Sequence, residues 1–192
     1  MKPQQIAKIV GAAAATVTAA FALFNSVLSN ITPPAKGLTP TWYAGIASLA
    51  ALLILLWVLA TTPSAPTLEQ RRLIVRKAIF GAVAGVILLV AYLGTLNWFV
   101  YTYSEGSGTP ARHVRGWYTP LGAASTQNMS VAEAIRQAGG LKFAEANDLL
   151  WTEKARKTIE LVLLVEYIVA LAALFYALFS LAALYIAIRR GK

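Results

Sequence analysis

The chain has 192 residues, of which 58% are hydrophobic and only 13% are charged. Its mean hydropathy is +0.61, and a soluble domain of this size could not bury so much apolar surface. The composition therefore predicts an integral membrane protein. The absence of cysteine excludes disulfides, thiolate metal sites and thiol nucleophiles.

The formal net charge is +9, and the basic residues flank the apolar segments. This distribution favours the anionic headgroups of a lipid bilayer as their partner. The sequence has no aromatic stacking platform and no nucleic-acid-binding motif. We therefore expect a lipid partner and no nucleic-acid partner.

Four apolar segments are long enough to cross a bilayer, which takes roughly 20 residues of helix. The predicted fold is all-α: a polytopic membrane protein with four transmembrane helices and a small, partly helical extramembrane loop between helices 3 and 4. The spans cover about residues 9–29, 42–61, 78–101 and 161–188. The predicted regions are 1–104 with transmembrane helices 1–3, 105–158 with the extramembrane loop, and 159–192 with transmembrane helix 4 and a basic tail.

The first apolar segment follows Lys2 and Lys8, a pattern that it shares with signal peptides. Because the apolar run is longer than a typical signal core, we expect it to be retained as a helix. Basic residues divide almost evenly between the two predicted sides, but the dense clusters at 71–77 and 189–192 lie on the side of the N-terminus. Short basic segments decide orientation, so we expect both termini to be cytoplasmic.

Two capping boxes predict where helices start. TLEQ at 67–70 predicts that the third helix begins directly after residue 67, outside the lipid, and SVAE at 130–133 predicts a short helix that Gly139–Gly140 ends. A further helical pattern starts near Phe143 or Asp148 and meets no breaker before the fourth span. The fourth helix is therefore expected to be about 40 residues long and to project beyond the membrane.

Small residues recur at helical spacing in the first, third and fourth spans. In lipid, helices associate through close backbone approach and polar contacts, and small residues allow both. Two interpretations remain open: a seam through which copies oligomerise, with or without a central pore, and ordinary packing within one bundle. The candidate helix seam comprises Glu166, Ala170, Ala173, Ala177 and Ser180, with the GxxxG pair Gly81 and Gly85.

Glu166 continues the small-residue stripe of the fourth span, so we expect it to face protein rather than lipid. An ionisable side chain near the apolar region is unfavourable unless it is paired or hydrated. It could belong to a ring of carboxylates at a pore mouth or to a coupling site for a cation. It could equally be an interfacial acid bonded to a nearby basic or backbone group.

The sequence gives no case for an enzyme. His113 is the only histidine, and no HExxH, GxSxG or phosphate-binding glycine loop is present. We therefore predict no catalytic, cofactor-binding or metal-binding residues, no cofactor, and a surface-loop position for His113.

One region resembles a known class of module. RHVRGWYTP, SVAEAIRQAGG and LLWTEKARKTIELVLLVEYIVALAALF follow one another between about residues 112 and 188. This order resembles the membrane modules that accompany caspase-like, TIR and other effector domains of bacterial conflict and antiphage systems. The matching positions are Gly116, Thr119, Pro120, Ser130, Gly139, Gly140, Trp151, Thr152 and Tyr167.

The resemblance implies a membrane-acting component of the bacterial cytoplasmic membrane. No recognisable sensor or enzyme domain accompanies the module here, so it also implies control by a separate protein. The loop, with its Thr-Pro and Gly-Gly turns, would form a compact cap on the fourth helix. Movement of that cap would change the packing of the seam. The candidate loop cap comprises Arg115, Gly116, Thr119, Pro120 and Trp151.

Two functions follow as expectations. The first is a membrane-perturbing or pore-type effector, active in antiphage defence, that oligomerises through the candidate helix seam. The second is a non-catalytic accessory subunit of a larger membrane complex. The expected partners are therefore the bilayer and either further copies of the chain or another membrane protein.

Overall fold

The computed structural model describes residues 32–34, 40–104, 110–117 and 129–190, without the side chains of 40–44 and 189–190. The described chain is mostly helical, which confirms the predicted class, and one small hairpin of strands is added to it. The elements are α1 (Pro40–Thr61), α2 (Leu68–Phe99), β1 (Val100–Tyr103), β2 (Ala111–Val114), α3 (Val131–Gln137), α4 (Leu141–Ala146) and α5 (Glu153–Arg190).

Two helices are long and apolar enough to cross a membrane: α2 and the Glu153–Ile188 part of α5. The apolar stretch described in α1, Gly45–Thr61, is shorter than a typical span. The predicted span at 9–29 lies outside the described residues. The structure thus supports two candidate spans, and the four-span topology stays a prediction.

The two long helices are little buried by the rest of the protein. Only 22% of the most apolar window of each is buried, whereas the core helix of a soluble protein is mostly covered. Phe80 on α2 is 75% exposed, and Leu178 on α5 is 61% exposed. Large apolar side chains therefore lie on the outside of these helices, as they do in a protein whose solvent is lipid.

The chain divides into two compact units. Among the described residues, 32, 40–92 and 166–190 belong to one, called the helical unit, and 33–34 and 93–165 belong to the other, called the hairpin unit. The predicted extramembrane loop covered 105–158, and the hairpin unit is larger because it also holds the end of α2 and the first turns of α5.

In the helical unit, α1 packs against α5. Ala51, Leu55 and Val58, spaced as one face of a helix, form a buried cluster with Phe179 and Ala183. Trp57 also lies against Tyr176, with the ring centroids 5.6 Å apart.

The hairpin unit contains an antiparallel pair of strands that sequence analysis did not predict. β1 pairs with β2 in the register Val100↔Val114 to Tyr103↔Ala111. The predicted third helix ran to Tyr101, but α2 ends at Phe99. VYTY is rich in β-branched and aromatic residues, which favour a strand, and its pairing with β2 adds the contacts that a strand of four residues needs.

The predicted capping boxes are both present. The backbone N–H of Thr67 donates to Gln70 Oε1 at 2.9 Å, and α2 begins at the next residue. Ser130 Oγ accepts from the backbone N–H of Glu133, whose side chain accepts from the backbone N–H of Ser130. These hydrogen bonds satisfy amide groups that have no partner inside the helix.

The predicted continuous helix from residue 143 or 148 is wrong, because the chain breaks between α4 and α5. Asp148 has a φ of 51°, a left-handed conformation that ends a helical run. Its Oδ1 accepts the backbone N–H of Glu153 at 2.9 Å, and Thr152 Oγ1 accepts that of Ala155 at 3.2 Å. These bonds start α5 at Glu153, and the helix is then 38 residues long.

Candidate functional site

Two groups of predicted residues come together, one in each unit. In the helical unit, the GxxxG pair of α2 lies against α5. A β-carbon built on Gly81 would lie 3.0 Å from Tyr176 Cδ1, 3.5 Å from the backbone oxygen of Ala173 and 3.6 Å from Ala177 Cβ. The two helices approach this closely because position 81 carries no side chain.

The small residues of α5 that were singled out in the sequence are largely covered. Ala170 is fully buried, and Ala177 and Ser180 are buried, whereas Ala173 is half-buried. Part of this stripe therefore contacts the GxxxG pair of the same chain. The structure thus places the candidate helix seam inside one chain, while assembly of several copies stays a proposal.

A pair of tyrosines, which the sequence analysis did not assign to the seam, lies in the same unit. Tyr92 on α2 and Tyr167 on α5 are both almost fully buried, and their ring centroids are 5.6 Å apart at 52°. The sequence could have predicted the position of Tyr92, because it follows Gly85 by seven residues and so lies on the same face of α2.

Glu166 directly precedes Tyr167 on α5, and its residue is half-buried. Its carboxylate oxygen Oε2 is buried, and the residue is the first of the α5 segment that belongs to the helical unit. That Glu166 faces protein, and its role at a pore, a cation site or a packing contact, stay predictions.

In the hairpin unit, Gly116 lies in the tightest contact of the candidate loop cap. A β-carbon at this position would lie 2.9 Å from Trp151 Cβ and 3.0 Å from Ala155 Cβ. Trp151 also contacts Tyr101, with ring centroids 5.7 Å apart. Gly116, two residues after β2, therefore contacts the segment at the start of α5 at a distance that only glycine allows.

His113 lies in β2, not in the predicted surface loop. It stacks on its cross-strand neighbour Tyr101 with ring centroids 5.8 Å apart. The rings of His113, Tyr101 and Trp151 thus form a continuous aromatic group. Aromatic pairs of this kind stabilise cross-strand contacts by about 0.5–1 kcal/mol.

Arg115 contacts the carboxyl-terminal end of α2. Its backbone N–H donates to the carbonyl oxygen of Phe99 at 2.9 Å, and its guanidinium carbon lies 5.2 Å from the ring centroid of Trp98. A cation at the carboxyl end of a helix is favoured by the helix dipole, and the aromatic face adds a cation–π contact.

An ionic cluster, which the sequence analysis missed, holds α4 to α5. Arg156 Nη1 lies 2.9 Å from Glu145 Oε1, and Arg156 Nη2 lies 3.8 Å from Asp148 Oδ1. Arg156 Nη2 also donates to the backbone oxygen of Glu145 at 3.2 Å. The arginine side chain is only 11% exposed, so the pair is shielded from solvent and specific in geometry.

The same cluster acts on Tyr101. Burial raises the pKa of the Tyr101 phenol well above its usual 10.0, and the negative charge of Glu145 raises it further. The phenol is therefore neutral throughout the physiological range.

Two predicted cap residues, Thr119 and Pro120, lie outside the described residues. Within the described ranges, no three histidine, aspartate or glutamate side chains are grouped as metal ligands. The described residues thus form a close contact between α2 and α5 in the helical unit. In the hairpin unit they form an aromatic group and an ionic cluster.

Comparison with known protein families, curated proteins and solved structures finds no match to this chain.

Proposed function

We propose that the chain is an integral membrane protein that acts through contacts between helices and not through catalysis. One observation carries this proposal: small residues lie at the contact between α2 and α5, while many of the large apolar side chains of these two helices are exposed. Gly81 and Ala177 meet in the interior, whereas Phe80 and Ile87 on α2 are exposed. This inside-out arrangement suits a lipid solvent, because tails compete for large apolar groups but not for close backbone contacts.

The absence of cysteine makes the membrane proposal directly testable. Val86→Cys lies on the exposed apolar side of α2, and Lys142→Cys lies on an exposed position of the hairpin unit. In open membrane sheets, a water-soluble maleimide should label position 142 rapidly and position 86 only after detergent is added. Equal labelling of both without detergent, or release of the protein by alkaline carbonate, would contradict membrane insertion.

As its activity, we propose that several copies assemble and perturb the bilayer, as the resemblance to conflict-system modules implies. Two features support this. Helices held by small residues associate with modest free energies, so their contacts can rearrange. Glu166 is an ionisable, half-buried residue in an apolar helix, a position that often marks a functional site.

Dye release from liposomes tests this activity. We expect the reconstituted chain to release a small anionic dye and Glu166→Gln to release it at least about tenfold more slowly, a change equivalent to about 1.4 kcal/mol. Glu69→Gln, in the exposed first turn of α2, is the control because it changes the net charge equally. No release by the wild type, together with a single-chain mass in detergent, contradicts this proposal and leaves membrane insertion intact.

The alternative function, a non-catalytic accessory subunit, is favoured by a specific observation. The contacts of Gly81 and Gly85 are made with α5 of the same chain, so this seam stabilises a single copy. Purification from native membranes in mild detergent discriminates: an accessory subunit should carry fixed heterologous partners and should release no dye.

A further inference from the structure

A groove on the surface of the helical unit combines an apolar floor with a basic rim. It has a volume of about 360 Å³ and is lined by Leu73, Arg76, Lys77, Phe80 and Tyr176. The four residues of α2 in this set follow the spacing i, i+3, i+4 and i+7, so they share one face of the helix.

The floor of the groove is held in place by its neighbours. The Tyr176 ring lies next to Gly81, where a β-carbon would lie 3.0 Å from its Cδ1. On another side, Trp57 contacts Tyr176 at a centroid distance of 5.6 Å. Because packing restricts this ring before any ligand binds, little conformational entropy is lost on binding.

The basic rim is available for an anion. Arg76 and Lys77 are exposed, and the ion pairs of the described residues use Arg156 and Lys157 instead. Both rim residues directly precede the apolar part of α2 that starts at Ala78. If α2 spans a bilayer, this junction lies near the level of the lipid phosphates.

We infer that the groove binds one anionic phospholipid, with the phosphate at Arg76 and Lys77, an acyl chain along Phe80 and Tyr176, and Leu73 on the headgroup side. The inference rests on the proposed membrane insertion. A free inorganic anion would match the rim but leave the apolar floor uncovered, and Phe80 and Leu73 are 75% and 51% exposed. A phospholipid matches both parts of the groove, since its charge meets the rim and its chain covers the floor.

Native mass spectrometry of the full chain in detergent tests this inference. Phosphatidylglycerol and phosphatidylcholine with identical acyl chains are titrated against the wild type, against Arg76→Gln/Lys77→Gln and against the control Arg72→Gln/Lys142→Gln. All four substituted side chains are exposed, and the two variants lose the same charge. We expect the wild type to prefer phosphatidylglycerol, the groove variant to bind it roughly thirtyfold more weakly, and the control to change by less than about threefold.

A second pair of variants tests the apolar floor. Phe80→Ala should weaken phosphatidylglycerol binding by at least about tenfold, whereas Phe143→Ala, also exposed, should not change it. Glycerol phosphate, which has the headgroup charge without acyl chains, should not displace the lipid at millimolar concentration.

Three outcomes would overturn the inference: equal affinity for the two lipids, equal weakening in the groove and control variants, or displacement by glycerol phosphate. Alkaline extraction of the same membranes separates this failure from failure of the proposed function. A chain that resists extraction but shows no lipid preference disproves the groove alone, and a chain that is extracted disproves both.

Discussion

Gly85 of α2 lies so close to Leu174 of α5 that a β-carbon at position 85 would be 2.8 Å from Leu174 Cγ and 3.1 Å from its backbone nitrogen. The first distance is shorter than real β-carbon contacts, and the second involves backbone that cannot rotate away. The helical unit therefore depends on a missing side chain at this point.

We predict that Gly85→Ala destabilises the helical unit by roughly 1–3 kcal/mol, because the added methyl group forces the two helices apart. Unfolding in mixed micelles of a mild detergent and dodecyl sulfate, followed by circular dichroism, measures the change. Gly45→Ala is the matched control, since a β-carbon at that position meets nothing within 4 Å. Equal destabilisation of both variants would show that close approach at Gly85 is not the cause.

Gly116→Ala should destabilise the hairpin unit by about 1–3 kcal/mol, because the added methyl group overlaps Trp151 and Ala155. The near-ultraviolet circular dichroism of the tryptophan should change at the same time. Gly94→Ala provides the comparison: its β-carbon meets nothing within 4 Å, and alanine is favoured over glycine inside a helix by about 1 kcal/mol. A stable Gly116→Ala variant with an unchanged spectrum would refute the contact.

Arg156→Met should lower the stability of the hairpin unit by about 2 kcal/mol, because it leaves the partly buried Glu145 carboxylate without its shortest ion pair. Lys157→Met is the adjacent control. Lys157 pairs with Glu153 at 2.7 Å, but both side chains are more than 60% exposed, so its loss should have little effect. Thermal unfolding of the two variants in the same detergent and buffer measures both changes. Equal loss of stability in the two variants would contradict a special role for Arg156.

The start of α3 should respond to acid. The hydrogen bond from the Ser130 hydroxyl, followed by that from its backbone, lowers the pKa of Glu133 below its usual 4.5. A lowered folded-state pKa stabilises the fold above about pH 4.5 and loses that effect as the pH falls through the folded value. The protection factors of the α3 amides, taken relative to the intrinsic exchange rate at each pH, should therefore fall below pH 4. Ser130→Ala should weaken this pH dependence, since the backbone N–H of residue 130 still donates to Glu133, and it should lower the protection factors at neutral pH.

The stability of the hairpin unit should also depend on pH in the alkaline range, through Tyr101. Because its pKa is raised by burial and by Glu145, its neutral form stabilises the fold below pH 10, and this effect is lost as the pH rises further. Glu145→Gln should lower the pKa of Tyr101 while leaving the effect of burial in place. Carbon-13 resonances of ring-labelled tyrosine, assigned with Tyr101→Phe, would follow the titration. An unchanged midpoint in Glu145→Gln would show that the carboxylate does not act on the phenol.

Sequence reasoning succeeded where the signal was local. The capping boxes at 67–70 and 130–133 start helices where expected, because both partners of each hydrogen bond lie within four residues. The apolar stretches of α2 and α5 were likewise visible from composition. The GxxxG pair predicted close approach, although the pattern does not specify whether the partner is the same chain or another copy.

Sequence reasoning failed where the decisive contact was distant in the chain. The hairpin depends on β1 meeting β2 across residues 104–110, and neither four-residue strand is a strong signal alone. The break before α5 depends on the left-handed backbone conformation of Asp148. An aspartate within a helical pattern does not by itself predict this conformation. The ion pair from Arg156 to Glu145 spans a turn whose geometry follows from that break.

The hydrogen bond from Arg115 to the carbonyl of Phe99 has a consequence for biosynthesis. A ribosome makes the chain from its N-terminus, and the last turn of α2 is complete only after residue 115 has emerged behind it. Until then, the aromatic pair at 98–99 lacks its cation and the carbonyl lacks its donor. The contacts at this end of the helix are therefore completed only after the hairpin has been synthesised.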